Sequence, residues 1–345
     1  MKNNKLFKFC VIALSIVLVA CAGGSSDEAG CPVIEDRKIN VVATTPMIGE
    51  FVSQVGGENI NLTVIMPPEA DPHTYEPAPQ DAGTIADADL VFYTGLKYEP
   101  AAVVKLLESS ACSTSVLAEV GENVFPIEFK EGGHDGHDEE EGHDDHDDED
   151  GHDEEEGHDD HDGHEGHGHG AYDPHFWFDP NRVVYATEYI ESKLVEYDPS
   201  NSASYESAGS AYTDELKGLI GQVSDLISTV PSQNRKLITT HESLGYLEAK
   251  FGLEILSTII PSLTSANEIS PAELVDVIDV IEDNNVKVIF IEAEAPSVYS
   301  ETIVAETGIK AVEGLWVETL KSGQSYPDFL ITAVELIVEN LINAD

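Results

Sequence analysis

Residues 131–170 use four residue types only, with ten His, ten Gly and twenty Asp or Glu among them. With no apolar side chain to bury, such a stretch cannot offset the conformational entropy of ordering its backbone, and the sequence predicts disorder there. The folded body must therefore come from the flanks. Ordered protein resumes within a few residues, at Asp173-Pro174-His175-Phe176-Trp177-Phe178-Asp179-Pro180.

The tract carries chemistry of its own. Its imidazoles, His134, His137, His143, His146, His152, His158, His161, His164, His167 and His169, are good ligands for zinc, copper and nickel. The carboxylates between them concentrate divalent cations. A flexible chain loses entropy for each ligand it gathers, so the reading is an auxiliary, low-affinity metal segment, with a plain acidic spacer as the alternative. Of the thirteen histidines in the chain, only His73, His175 and His241 lie outside the tract. Spread over the folded part, they point to one site assembled from distant segments.

A chain of 345 residues makes one large or two ordinary domains. Its formal charge is −49, of which the tract supplies −20 and the remainder −29. Nucleic-acid binding needs basic stripes against phosphate, so no nucleic-acid partner is expected.

The N-terminus reads as a targeting signal. Lys2 to Lys8 is basic, and residues 9–20 are an apolar run too short to span a bilayer. The run ends in Leu18-Val19-Ala20-Cys21, which resembles the lipobox of bacterial lipoproteins. That reading makes 1–20 a signal peptide, Cys21 the lipid-modified first residue and 21–36 a flexible tether. The protein would be exported and anchored at the outer face of the cytoplasmic membrane, in a periplasm or on a cell surface. No later run is apolar enough to cross a membrane. Cys31 and Cys112 then remain in an oxidising compartment, where a disulfide between them is plausible.

Before the tract, apolar runs at 38–45, 61–66, 90–94 and near 115–117 read as strands, alternating with helical patterns at 47–55, 79–88 and 99–108. After it come helices at 180–197 and 202–230. The second carries one apolar stripe of Leu216, Leu219, Ile220, Val223, Leu226 and Ile227. Strands at 236–240, 254–259, 286–291 and 310–312 then alternate with helices at 243–251, 271–283, 299–307 and 326–343. This order indicates two α/β halves with parallel sheets, joined by a long helix. In such sheets ligands sit beyond the carboxyl ends of the strands. His73 follows the second strand, His241 and Glu292 end strands of the second half, and His175 precedes the linking helices. All four can converge on one cleft.

At these residues the chain resembles the solute-binding lipoproteins of zinc and manganese ABC importers, close to the zinc-specific kind with a His-rich acidic loop. The resemblance rests on Asp71-Pro72-His73-Thr74-Tyr75-Glu76-Pro77, the segment Asp173 to Pro180, Thr240-His241-Glu242-Ser243-Leu244-Gly245-Tyr246 and Phe290-Ile291-Glu292, in that order. It implies two lobes, each a parallel four-stranded sheet with helices, bridged by one rigid helix with a metal cleft between. The boundaries are then 37–201 for the first lobe, 202–230 for the helix and 231–345 for the second lobe. It also implies His73, His175 and His241 as metal ligands. The fourth is placed at Glu292, with Glu294 as the alternative because Glu292-Ala293-Glu294-Ala295-Pro296 offers two glutamates.

Three imidazoles and a carboxylate suit tetrahedral Zn²⁺. Manganese-specific relatives replace the third histidine with a carboxylate, so His241 argues for zinc over manganese, while ligand type leaves nickel and copper open. Affinity is expected to fall below about pH 6.5, where an ordinary imidazole protonates. The implied function is capture of zinc and its delivery, as a monomer, to an ABC permease and its ATPase. An adhesin or zinc-storage lipoprotein is the alternative. A zinc hydrolase is disfavoured, because His241-Glu242 runs on into Ser243-Leu244-Gly245-Tyr246 without the second histidine of HExxH.

Overall fold

The computed structural model describes residues 31, 37–129 and 172–343. The signal-peptide segment, Cys21 and all ten tract histidines lie outside the described residues.

The first lobe carries strands β1 (Ile39–Ala43), β2 (Ile60–Val64), β3 (Leu90–Tyr93) and β4 (Leu117–Glu119), with helices α1 (Pro46–Gly56), α2 (Pro79–Ala86) and α3 (Ala101–Ser110). Helices α4 (Pro180–Tyr197) and α5 (Ser202–Ser228) follow. The second lobe carries β5 (Lys236–His241), β6 (Glu254–Ile260), β7 (Val288–Glu292) and β8 (Lys310–Leu315) with α6 (Gly245–Phe251), α7 (Pro271–Asn284), α8 (Ser300–Thr307) and α9 (Tyr326–Ile342). Both sheets are parallel and share one topology, β2-β1-β3-β4 and β6-β5-β7-β8. Two parallel four-stranded sheets with flanking helices thus form two lobes.

Strand alternation divides the core. Ile39, Val41, Ala43, Leu90 and Phe92 point one way, into a core that continues through α1, α4, α5 and α9 to Leu237, Val288 and Phe290 of the second sheet. The alternate positions, Val42 and Val91 in one lobe and Ile238, Ile289 and Ile291 in the other, fill two separate outer cores. Strands buried on both faces read as near-continuous apolar runs, as β3 and the Val288–Ile291 part of β7 do. At 27 residues α5 is roughly 40 Å long. It buries Leu216, Leu219, Val223 and Ile227 and packs on α1, α4 and α9, so it belongs to both lobes.

Helix starts are written locally. Thr45, Asp179, Ser270 and Ser325 each accept a first-turn backbone N–H, and a proline follows within two residues in every case. Strand ends are less obvious. β8 runs to Leu315, past the 310–312 expected, because Gly314 (φ 89°) is an extra residue between the pairs Ile291–Glu313 and Glu292–Leu315. A bulge of this kind bends the strand and re-aims the chain after it. β7 starts at Val288, and residues 114–116 form a 3₁₀ turn ahead of β4. The sulfurs of Cys31 and Cys112 are bonded, with Cα atoms 4.9 Å apart. No helix among the described residues is long and apolar enough to cross a membrane.

Candidate metal centre

The two sheets turn the carboxyl ends of their strands toward one cleft. His73 lies in the 3₁₀ turn Pro72–Thr74 beyond β2, and its backbone N–H donates to Asp71 Oδ1 at 2.9 Å. His175 precedes the turn Phe176–Phe178, and Asp173 Oδ1 accepts both its backbone N–H and its Nδ1, each at 2.8 Å. His241 is the last residue of β5. Its Nδ1 meets Glu292 Oε2 at 2.5 Å, and Glu292 ends the neighbouring strand β7.

The three rings stand with centroids 5.4 to 6.1 Å apart. Their Nε2 atoms lie 3.1, 3.2 and 2.7 Å from Glu318 Oε1 for His73, His175 and His241 respectively. One ligand atom from each of the four residues falls within 4.8 Å of all the others. The His175 and His241 side chains have no solvent exposure, and that of His73 is 3% exposed. The cluster is closed.

Hydrogen bonding decides what the cluster can hold. Carboxylates at Nδ1 favour the tautomer protonated there, and in that tautomer neutral His175 and His241 turn an Nε2 lone pair toward Glu318. A lone pair facing a carboxylate oxygen is repulsive unless a proton or a cation stands between them. His241 Nε2 is close to Glu318 Oε1 but off the hydrogen-bond axis, and has no hydrogen-bond partner among the described residues.

Titration follows the same logic. Burial pushes His175 down, but the charges of Glu318 and Asp173 prevail and raise it to about 9. His241 is likewise held well above the ordinary imidazole value, Glu292 and Glu318 outweighing burial. Burial alone would raise Glu318, yet the neighbouring histidines hold it well below the usual carboxylate range. The site is thus a cage for positive charge, filled by protons or by a metal ion.

An outer layer fixes these groups. Tyr98 Oη donates to Glu318 Oε2 at 2.9 Å and to Glu318 O at 3.0 Å. Glu294 accepts the N–H groups of Val317, Glu318 and Thr319 through Oε1 at 3.1, 3.0 and 3.2 Å. Burial, then the Glu318 charge, raises Glu294 to about 8 despite those donors. Trp177 Nε1 donates to Val317 O, and Tyr246 Oη to Asp173 O. Gly245 permits that last approach, since a Cβ there would sit 2.7 Å from Asp173 Oδ2.

The family described as zinc-uptake complex component A, periplasmic (ZnuA) matches residues 41–340. The chain belongs to this family. ZnuA-family members are substrate-binding proteins of ABC importers and not enzymes, and this chain is a metal-binding ABC-importer substrate-binding protein. It is 30% identical over 339 residues to the high-affinity zinc uptake system protein ZnuA of Bacillus subtilis, covering 96% of each chain. It is 27% identical over 347 residues to the manganese ABC transporter substrate-binding lipoprotein PsaA of Streptococcus mitis, covering 98% of this chain and 99% of that one. The periplasmic zinc binding protein TroA of Treponema pallidum superposes with TM-score 0.70 at 21% identity, over 88% of this chain and 99% of that one. Fe(III)-bound YtgA of Chlamydia trachomatis gives TM-score 0.68, also at 21% identity, over 88% and 98% of the two chains. These likenesses place the fold among TroA-like two-lobe solute-binding proteins. The metals in those names differ.

Within this ZnuA-family fold, His73, His175 and His241 come together, and the fourth position is taken by Glu318, not by Glu292 or Glu294. Glu292 sits behind the His241 ring, on the Nδ1 side, and Glu294 is occupied by three backbone donors. The missed signal was the end of β8. Glu318 lies just beyond that strand's carboxyl edge, where the rule that located His241 and Glu292 also points, but the strand was expected to stop at Val312.

Proposed function

We propose that this protein captures zinc outside the cytoplasmic membrane and delivers it to an ABC permease driven by its ATPase. The observation that carries the reading is the donor set, three buried imidazole nitrogens and one carboxylate oxygen converging within 4.8 Å. Such an N₃O set at about 2.0–2.2 Å satisfies tetrahedral Zn²⁺ with four protein ligands, whereas Mn²⁺ favours oxygen-rich, octahedral surroundings. The ligands we propose are His73, His175, His241 and Glu318. Manganese is the second reading, favoured by the manganese relatives, and nickel and copper share the ligand types.

The surrounding assignments follow from the same reading. The lipid on Cys21 holds the protein at the membrane, tether 21–36 gives it reach, and it works as a monomer of two lobes divided at 202–230. The paired Cys31 and Cys112 suit an oxidising compartment. The tract at 131–170 gathers zinc loosely.

Competitive titration of the mature protein tests the assignment. His73→Ala and His175→Ala each abolish the tight zinc site, and a chain lacking 131–170 keeps that site while losing several weak ones. Tight binding that survives both histidine substitutions sinks the ligand set. A wild-type site that prefers manganese over zinc in direct competition sinks the zinc reading.

A further inference from the structure

We propose that Tyr98 restricts Glu318 to coordination through one oxygen, and so tilts the centre toward four-coordinate zinc and away from manganese. The inference rests on the metal-capture reading above but concerns a residue outside the ligand set. The two carboxylate oxygens of Glu318 are differently engaged. Oε1 lies within 3.2 Å of the Nε2 atoms of all three histidines, while Oε2 faces away and accepts the Tyr98 hydroxyl at 2.9 Å. A cation held by the imidazoles therefore meets Oε1 first. For Oε2 to join it, the carboxylate must rotate and lose the tyrosine bond. A bidentate carboxylate adds a fifth ligand, which tetrahedral zinc does not need and which manganese, with its preference for more oxygen ligands, uses.

Tyr98 is itself held in place. Its side chain is buried, and its ring packs edge-on against His73, His175 and Trp177 at centroid distances of 5.1, 5.9 and 5.3 Å. The loop that presents it carries three consecutive residues with positive φ, Gly95 (77°), Leu96 (53°) and Lys97 (63°). For the two side-chain-bearing residues this is the disfavoured left-handed region, and such strain persists only where surrounding structure imposes it. The constraint is visible. Glu99 accepts the N–H groups of Thr94 and Gly95 at 2.6 and 2.9 Å and the Thr44 hydroxyl at 2.7 Å, while Glu119 accepts Leu96 N–H at 2.9 Å. The loop also contributes the turn bond Tyr98 N to Gly95 O at 2.9 Å. Glu99, just before α3, and Glu119 of β4 thus hold a strained turn that aims one phenol at Glu318, at its Oε2 and its carbonyl oxygen.

Tyr98→Phe tests this, since it keeps the ring and removes the hydroxyl, with its bonds to Glu318 Oε2 and to the Glu318 carbonyl oxygen. Zinc and manganese affinities are measured by competition in the whole chain, and Co²⁺ loaded in place of zinc reports coordination number through its visible d–d bands. In the wild type the bands are intense, as four-coordinate cobalt requires. In Tyr98→Phe they weaken toward the five-coordinate pattern, and the zinc-to-manganese affinity ratio falls on the order of tenfold, the size of one hydrogen bond to a charged group. Tyr326→Phe, which removes a bond to Trp177 O behind the site, serves as the control and moves both metals together. An unchanged ratio with unchanged cobalt bands in Tyr98→Phe overturns the proposal. So does a wild-type cobalt spectrum that is already five- or six-coordinate, a readout independent of whether the variant folds. A wild type that prefers manganese outright overturns the zinc reading alone, because the role of Tyr98 is judged by the change in ratio.

Discussion

Asp173 and Glu292 choose which nitrogen of their histidine faces the cleft. A carboxylate on Nδ1 fixes the ring's orientation, leaves Nε2 as the donor to metal and raises its basicity. Asp173 makes the stronger test, because its single Oδ1 holds both the backbone and the ring of His175. Asp173→Asn keeps the shape but removes the charge, and should weaken zinc binding by about 10- to 100-fold without abolishing it. Competition against a chelator of known strength measures this, and wild-type affinity in the variant would show that Asp173 is not tuning the ring. At this scale the sequence was partly readable. His73, His175 and His241 stand out because each is set beside a proline or at a strand end, in a chain whose other histidines are all in one tract. Glu318 has no such frame. It is one of 66 acidic residues, and Trp316-Val317-Glu318-Thr319 carries no spacing that marks a ligand.

At the scale of elements, most helices and strands were legible because caps and apolar runs are local. Pro180–Tyr197 was readable at both ends, with Asp179-Pro180 opening it and Asp198-Pro199 closing it near Tyr197. β8 was not, because its bulge depends on the partner strand: Gly314 is extra only relative to Ile291 and Glu292 of β7. The same limit hid the contact between the loops that follow β2 and β6. Asp71 Oδ2 accepts the hydroxyl of Ser265 at 3.0 Å, while Oδ1 holds His73, so the turn carrying the first histidine is tied to the opposite lobe. This tie holds the turn of a histidine in a buried centre, which metal can leave only when something opens. Ser265→Ala removes about 1 kcal/mol from the closed state. Zinc release into excess chelator, followed by stopped flow, should then quicken roughly fivefold, since affinity changes of this kind reside mostly in the off-rate. An unaltered release rate would mean the opening lies elsewhere.

Across the whole molecule, one core runs from β1 through α5 to α9, so the lobes share their interior and cannot separate widely without exposing it. Opening is therefore confined to the rim, and the centre lies buried among the carboxylates Asp173, Glu292 and Glu318. That sets its pH response. With His175 raised to about 9, and His241 higher than an ordinary imidazole, a metal ion entering at neutral pH must displace protons. Affinity should climb with pH, by about one log unit per pH unit for each proton displaced, and keep climbing from about 6.5, where a free imidazole would level off, to about 9. The metal-free protein has the opposite dependence. A histidine with a raised folded pKa stabilises the fold fully below the unfolded value near 6.5, and that contribution disappears as pH rises through about 9. Raising pH over this window should thus lower the melting temperature of the metal-free form while tightening zinc in the loaded one, so the two melting curves diverge. Calorimetry in buffers of different ionisation enthalpy counts the released protons directly. An affinity that is flat between about pH 6.5 and about 9, with no proton release, would show that the carboxylates around these rings do not hold charge on them.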